Sequence, residues 1–134
     1  MSKLLGIDWG EKKTGLAISD ELQMLAKPLQ TMDSFNLSTL EKIIEEENIE
    51  KIIVGRPRNM DGSLGPQAKK VSFFVSKLEK KIKLPIIYED ETNTTNIVKS
   101  MLIKEGLDPR KNKDLIDKKS AQLILQGYID ENIK

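Results

Sequence analysis

Two short apolar runs joined by a glycine-containing turn open the chain, and they constrain the fold more than any other feature. The runs are KLLGIDW at residues 3–9 and TGLAIS at residues 14–19, with GEKKTG forming the turn. Short apolar runs bounded by glycine are typical of buried strands, and a turn of this length favours an antiparallel hairpin. A third run, AKPLQTM at 26–32, contains Pro28, which lacks a backbone N–H and is tolerated at a sheet edge. We therefore expect a three-stranded meander with its third strand at an edge.

The remainder of the chain alternates between helical and strand patterns. Asn36 and Ser38 are both candidate N-caps for the first helix, and Gly106 is expected to end the third. Strand–helix–strand units imply parallel strands joined by right-handed crossovers. The sequence therefore predicts a single domain over residues 1–134, an α/β fold in which a five-stranded mixed sheet carries helices on both faces. Beyond the meander, the predicted elements are helices at 36–48, 66–82, 93–106 and 114–134 and strands at 51–55 and 84–90.

The composition removes several kinds of catalysis. The chain has no cysteine and no histidine. Thiol nucleophiles, Cys-based zinc sites, Ser-His-Asp triads and His-based general acid–base cleavage of RNA are therefore excluded. An enzyme of this composition would have to work through aspartate, glutamate, lysine, hydroxyl groups and bound hard cations.

Charge and hydropathy bear on the partners and the compartment. The formal net charge is +1, so the chain lacks the strongly basic balance typical of a nucleic-acid-binding domain. Charge is uneven, however, because residues 110–119 carry five basic side chains against two acidic ones, whereas residues 41–50 are acidic. No apolar run approaches the length of a membrane span, and the N-terminus lacks the apolar core of a signal peptide. We expect a cytoplasmic protein that does not contact membranes.

Acidic residues follow the ends of strands that are predicted to be parallel. Asp8 ends the first strand, Gly55 and Arg56 leave the fourth, and Asp90 and Glu91 end the fifth. Ligand sites of open α/β sheets form outside the carboxyl ends of the strands. These loops are therefore expected to meet at one rim of the sheet.

The last predicted helix brings a further acid to this rim. Asp117 begins a stripe whose other members are apolar, so the stripe is expected to pack on the sheet and carry this carboxylate inward. An unpaired carboxylate at a half-buried position is unfavourable, and a bound cation would satisfy it. The apolar members of the stripe are Ala121, Ile124 and Tyr128.

All three acids also have structural interpretations, and for Glu91 it is that of a simple surface acid after a strand. Asp8 could cap the turn that follows it, and Asp117 could simply favour the positive end of the helix dipole. Gly6 and Gly10 flank Asp8 and favour a functional role, because the absence of their side chains would let a ligand or ion approach. Several converging carboxylates suit Mg²⁺ or Mn²⁺, and two such ions can hydrolyse a phosphodiester without histidine or cysteine.

Four motifs occur in order along nearly the whole chain. They are GIDWGEKKTGLAISD (6–20), IIVGRPRNMDGSLGPQA (52–68), DETNTT (90–95) and IDKKSAQLILQGYID (116–130). Together they resemble the motifs of the YqgF/RuvX family, the Holliday junction resolvase-like nucleases of the ribonuclease H-like superfamily. The resemblance implies a ribonuclease H-like fold.

The resemblance also implies an activity and the residues that perform it. Carried over by position, the catalytic and metal-binding acids are Asp8, Glu91 and Asp117, with Mg²⁺ or Mn²⁺ as cofactor. The implied function is that of a metal-dependent endonuclease acting on structured nucleic acid. Processing of the 5′ end of precursor 16S ribosomal RNA is favoured over resolution of DNA Holliday junctions.

The chain departs from the family pattern in two motifs, and only the first departure concerns substrate contact. Thr92 and Asn93 stand where the family usually has an arginine and an apolar residue, and Ser120 stands where it prefers alanine. Arg56 and Arg58 could replace the missing guanidinium. The residues expected to contact substrate phosphates are Lys12, Lys13, Arg56, Arg58 and Asn59.

Two other classes of function compete with a nuclease. The Asp-x-Gly turn also resembles the phosphate loop of sugar kinases and actin-like ATPases, but those proteins need two such domains around the nucleotide. The second alternative is a non-catalytic protein that binds RNA or a transcription complex through the same fold, which the near-neutral charge and the missing arginine would suit.

Overall fold

The computed structural model describes residues 2–59, 61–91 and 94–133 as one sheet with helices packed against it. The strands are β1 (Lys3–Asp8), β2 (Lys13–Ser19), β3 (Ala26–Asp33), β4 (Ile49–Pro57) and β5 (Ile86–Glu91). The helices are α1 (Leu37–Glu46), α2 (Pro66–Lys81), α3 (Thr94–Lys104) and α4 (Lys113–Asn132). A short 3₁₀ helix at Pro109–Lys111, which the sequence analysis did not anticipate, precedes α4.

The strand order is β3-β2-β1-β4-β5. β2 pairs antiparallel with both β1 and β3, whereas β4 pairs parallel with both β1 and β5. The predicted mixed sheet of five strands is therefore confirmed. β3 lies at an edge, as Pro28 indicated, and the pairing of β2 with β3 shifts register beside the Ala17–Pro28 pair.

Two cores cover the two faces of the sheet. On one face, Leu5 and Ile7 of β1 pack with side chains of α1 and α2. On the other face, Leu4 of β1 and Ile53 of β4 pack against α4. α3 packs on α4 through a third cluster. Helices on both faces were predicted, and they follow from strands whose successive side chains point to opposite faces.

The helix ends follow local capping chemistry. Of the two predicted N-caps of α1, Asn36 performs this role, since its side chain accepts a hydrogen bond from the Thr39 amide at 3.3 Å. Pro66 occupies the first position of α2, where its missing N–H is not required. In the part of the chain that the structure describes, no helix is both long and apolar enough to cross a membrane.

Candidate active site

Asp8 and Glu91 lie at the carboxyl ends of β1 and β5, on the face of the sheet that α4 covers. Side chains alternate along each strand, and Leu4 of β1 and Ile87 of β5 both pack in the α4 core. Asp8 and Glu91 are each four residues further on and therefore share that face. Asp90 has the opposite orientation, is exposed and pairs with Arg58. Of the two acids at the end of β5, Glu91 is the one that borders the site.

α4 carries Asp117 to the same end of the sheet, where it packs closely on a glycine of β2. Gly15 pairs with Asp8 in the β1–β2 ladder. An added Cβ at Gly15 would lie 1.9 Å from the Asp117 carbonyl oxygen, so the backbone of α4 rests directly on this strand position. The apolar stripe predicted for the last helix is buried as expected.

The three carboxylates line one cavity of about 360 Å³, here called the acidic cavity. Polar side chains from the first turns of α2 and α3 contribute to its wall, and Pro57, Val71 and Trp9 supply apolar surface. The full lining is Asp8, Trp9, Gly10, Lys13, Pro57, Gln67, Val71, Glu91, Thr94, Thr95, Asn96 and Asp117.

The electrostatics of the acidic cavity disfavour three ionised carboxylates. Burial raises the pKa of Asp8 well above its ordinary value, and the negative charges of Glu91 and Asp117 raise it further. Burial also raises the pKa of Glu91, against a hydrogen bond from Thr94 that lowers it. For Asp117, burial raises the pKa and nearby Lys113 opposes the change. Negative charge is therefore concentrated here at the expense of stability.

A hard divalent cation suits the donor set of this cavity. No described group donates a hydrogen bond to the Asp8 carboxylate. The charges that act on it in the cavity include those of two more acids, Glu91 and Asp117. Among the described residues, no three acidic side chains are arranged closely enough to hold a metal ion by themselves. Mg²⁺ usually takes one or two carboxylates and completes its shell with water and substrate phosphates, so an open arrangement is compatible with it. Direct coordination by all three acids stays a prediction.

The two lysines predicted to contact substrate lie at the β1–β2 turn. Lys13 lines the acidic cavity and forms an ion pair with Asp33 at 2.9 Å. Lys12 is exposed beside it, and its carbonyl accepts a hydrogen bond from the Ser34 amide. Of the two side chains, Lys13 therefore borders the acids, and a phosphate contact by either lysine stays a prediction.

The other three predicted substrate residues do not line the acidic cavity. The Arg56 guanidinium lies 3.9 Å from the centre of the Tyr88 ring, on the face opposite Glu91. Arg58 donates to Asp90 and to the Gly62 carbonyl, both at 2.8 Å. Asn59 donates to the Ser63 hydroxyl at 3.0 Å. Gly55 is on the face that α4 covers, and Arg56, one residue further along β4, points to the opposite face because successive side chains of a strand alternate.

The structure describes only one of the three positions at which the chain departs from the family pattern. Thr92 and Asn93 lie outside the described residues. Ser120 is fully buried in α4, and its hydroxyl has no hydrogen-bond partner among the described residues.

The glycines around Asp8 have a different role from the one expected. An added Cβ at Gly6 would lie 2.7 Å from the Leu125 Cβ, so this position accommodates α4 rather than a ligand. At Gly10, an added Cβ would lie 2.5 Å from the Lys13 carbonyl oxygen, within the turn itself. The expected opening for an ion is therefore wrong at Gly6, whereas Gly10 lines the acidic cavity and its lack of a side chain also permits the close approach of the turn backbone.

Four polar residues of the cavity were not singled out from the sequence. They are Gln67, Thr94, Thr95 and Asn96. Each belongs to the first turn of a helix that follows a parallel strand, and this position relative to a strand end was the signal that could have identified them. The N-terminal ends of such helices favour anions, including phosphates.

Two solved structures with a similar fold are Holliday junction resolvases. T. thermophilus RuvC in complex with a Holliday junction substrate matches with a TM-score of 0.57 and 14% identity, over 98% of this chain and 97% of that one. The yeast mitochondrial Holliday junction resolvase matches with a TM-score of 0.54 and 14% identity, over 96% of this chain and 78% of that one. The chain therefore has the ribonuclease H-like fold of these resolvases.

Sequence comparison defines the family. The family model of RuvX, described as Holliday junction resolvase, matches residues 2–131, and the chain belongs to this family. A relative from Desulforamulus reducens named "Putative pre-16S rRNA nuclease" is 40% identical over 98% of this chain and 99% of its own length. A relative of the same name from Geobacillus kaustophilus is 38% identical over 96% and 97%.

Proposed function

We propose that this protein is a divalent-metal-dependent nuclease that hydrolyses phosphodiester bonds in structured nucleic acid, with precursor 16S ribosomal RNA as its substrate. The observation that carries the proposal is the acidic cavity, where Asp8, Glu91 and Asp117 line one space at the carboxyl ends of parallel strands. The names of the sequence relatives support the choice of ribosomal RNA. Such a role would place the protein in the cytoplasm.

Each part of the acidic cavity has a task in this reaction. Asp8, Glu91 and Asp117 would hold Mg²⁺ or Mn²⁺, one ion or two, with water and substrate phosphates as the remaining ligands. When bound, such cations make a water more acidic and offset the negative charge of the phosphodiester that is cleaved.

The surrounding residues would position the substrate. Lys13 and the first turns of α2 and α3 present positive charge and N–H groups to a phosphate that approaches the acids. Trp9, Pro57 and Val71 form the apolar part of the cavity wall.

A DNA four-way junction is the second candidate substrate, because the family description and the structures that share this fold are those of junction resolvases. Labelled precursor 16S RNA and a labelled four-way DNA junction should be incubated in parallel with Mg²⁺, with Mn²⁺ and with EDTA. We expect metal-dependent cleavage of the RNA near the mature 5′ end and weaker cleavage of the junction. Preference for the junction would reverse the substrate assignment, and cleavage that survives EDTA or the Asp8→Asn substitution would contradict the proposed site.

The salt dependence of binding should separate the two groups of cationic residues. Each phosphate contact that is lost lowers the slope of log K against log salt by roughly 0.7–0.9. We expect this change when Lys12 and Lys13 are replaced by alanine, since Lys13 lines the acidic cavity and Lys12 precedes it in the β1–β2 turn. The Arg56→Ala/Arg58→Ala variant should change the slope less, because these guanidinium groups already contact Tyr88 and Asp90. The opposite ranking, measured by fluorescence anisotropy, would place the substrate over the other face of β4.

A further inference from the structure

Two phenyl rings lie on the outside of the protein beside a row of lysines. Phe35, in the turn after β3, is 49% exposed, and Phe73, in the middle of α2, is 59% exposed. Both rings line the same two shallow cavities on this side of the molecule. The surface, here called the phenyl–lysine surface, consists of Phe35, Phe73, Lys69, Lys70, Lys77 and Lys81.

Regular spacing along α2 produces this surface. Lys69, Phe73, Lys77 and Lys81 are four residues apart and therefore lie on one side of the helix, at intervals of about 6 Å. The Lys77 ammonium lies 5.0 Å from the centre of the Phe73 ring and 6.0 Å from the centre of the Phe35 ring. The side of α2 that packs on the sheet uses other residues, including Phe74 and Leu78. The exposed stripe is thus separate from the core.

The charge of this surface is positive. Glu11 is the one acid among the described residues that line the two cavities, and it is paired with Lys70. No described acid forms an ion pair with Lys69, Lys77 or Lys81. Three ammonium groups therefore stand beside exposed aromatic rings without a counter-charge from the described part of the protein.

Trp9 joins the phenyl–lysine surface to the acidic cavity. It follows Asp8 directly and lines both the acidic cavity and the cavity that contains Phe35 and Phe73. The centres of the Trp9 and Phe35 rings are 6.1 Å apart, in an edge-to-face arrangement. A chain that leaves the acidic cavity past Trp9 would meet Phe35 and Phe73 next.

We propose that the phenyl–lysine surface binds a single-stranded segment of nucleic acid that continues from the acidic cavity. Bases stack on Phe35 and Phe73, and the phosphates contact Lys69, Lys77 and Lys81. Exposed aromatic rings with basic side chains beside them are the usual means of binding single strands without sequence preference. The proposal rests on the proposed function and specifies the substrate further, as a structured nucleic acid with an unpaired strand at the cleavage site.

The test compares two RNA ligands with and without a single-stranded extension. Affinities of a fully paired RNA hairpin and of the same hairpin with a single-stranded extension are measured by anisotropy in EDTA, where we expect no cleavage. We expect wild type to bind the extended hairpin more tightly. Phe73→Ala should weaken binding of the extended hairpin roughly 10-fold while leaving the paired hairpin unchanged, and Phe73→Tyr, which keeps a ring, should restore it. Lys77→Ala should lower the salt slope for the extended ligand by about 0.7.

Matched controls separate this surface from exposure alone. Ile103→Ala removes a side chain that is 62% exposed on α3, and Lys27→Ala removes a lysine near the opposite end of the sheet. Neither should change the preference for the extended hairpin. Equal affinity of wild type and Phe73→Ala for the extended hairpin would overturn the proposal, even if the protein cleaves RNA. So would concentration-dependent self-association that Phe73→Ala abolishes without any change in RNA affinity, since the surface would then join two copies of the chain.

The design also keeps the two proposals apart. A wild-type protein that prefers the extended hairpin through Phe73 but cleaves nothing in Mg²⁺ or Mn²⁺ would support the phenyl–lysine surface and contradict the nuclease. If wild type cleaves RNA but does not prefer the extended hairpin, the result would support the nuclease and contradict the phenyl–lysine surface.

Discussion

Replacement of Asp8 by asparagine is expected to reduce metal-dependent cleavage by orders of magnitude and, in the absence of divalent cations, to make the fold more stable. Asparagine keeps the shape of the side chain but removes the charge that would hold the cation, and the cation supplies both the activated water and charge stabilisation. The gain in stability has a separate cause. Ionised Asp8 is buried and lies near the negative charges of Glu91 and Asp117, and a neutral side chain removes both penalties.

The dependence on pH gives a second readout of the same substitution. The pKa of Asp8 is raised in the folded state, so the folded protein holds a proton on this group at pH values where the unfolded chain has lost it. Folding is then favoured at low pH, and this contribution disappears as the pH rises above the ordinary range of an aspartate toward the folded-state pKa. Thermal melts of the cation-free proteins should therefore show wild type losing stability relative to Asp8→Asn as the pH rises through that window.

The control for Asp8 is an acid outside the acidic cavity. Glu21 is exposed and lies at the opposite end of the sheet, so Glu21→Gln should leave both cleavage and the melting temperature near the wild-type values. Adding Mg²⁺ or Mn²⁺ should raise the melting temperature of wild type and of Glu21→Gln but not that of Asp8→Asn. If Asp8 were only a cap of the β1–β2 turn, its replacement would lower stability by about 1 kcal/mol and activity would survive.

Local patterns were sufficient to predict most of the fold. The hairpin of β1 and β2 depends on two apolar runs and a short turn, and the edge position of β3 depends on Pro28, which cannot donate in a ladder. Asp8 and Glu91 could be assigned to one rim because parallel strands end on the same side of a sheet. The stripe of α4 placed Asp117 because helical periodicity determines which side chains face the sheet.

Side-chain direction and backbone packing between distant elements were not predictable in the same way. Arg56 was expected beside the acids but stacks on Tyr88 across the sheet, because one residue along a strand changes the face. Gly6 was given a role in ligand access, whereas the space beside its backbone is occupied by α4. The packing of α4 on Gly6 is a contact between residues more than a hundred positions apart in the chain, and no local sequence pattern predicts it.

α4 packs against three glycines of the sheet, and Gly15 is the position that leaves the least space for a side chain. Added Cβ atoms at Gly6 and Gly55 would lie 2.7 Å from the Leu125 Cβ and 2.5 Å from the Ile124 Cδ1, which are side-chain atoms. At Gly15 the nearest atom is the Asp117 carbonyl oxygen at 1.9 Å, and a helix backbone cannot move aside by a rotamer change. Because Gly15 pairs with Asp8, the close packing of α4 on Gly15 also determines the distance between Asp8 and Asp117.

Gly15→Ala is therefore expected to displace the start of α4, to destabilise the protein by about 1–3 kcal/mol as overpacked substitutions do, and to reduce cleavage strongly by moving Asp117 away from Asp8. The matched control is Gly127→Ala in α4, where the nearest atom to an added Cβ is Glu89 Oε2 at 3.4 Å, an ordinary van der Waals distance. That substitution should be neutral or stabilising, since alanine is more favourable than glycine inside a helix by roughly 1 kcal/mol. Urea unfolding and cleavage assays of both variants test this pair. Wild-type stability and activity in Gly15→Ala would mean that α4 does not rest on β2 at this position and that Asp117 reaches the acidic cavity by another route.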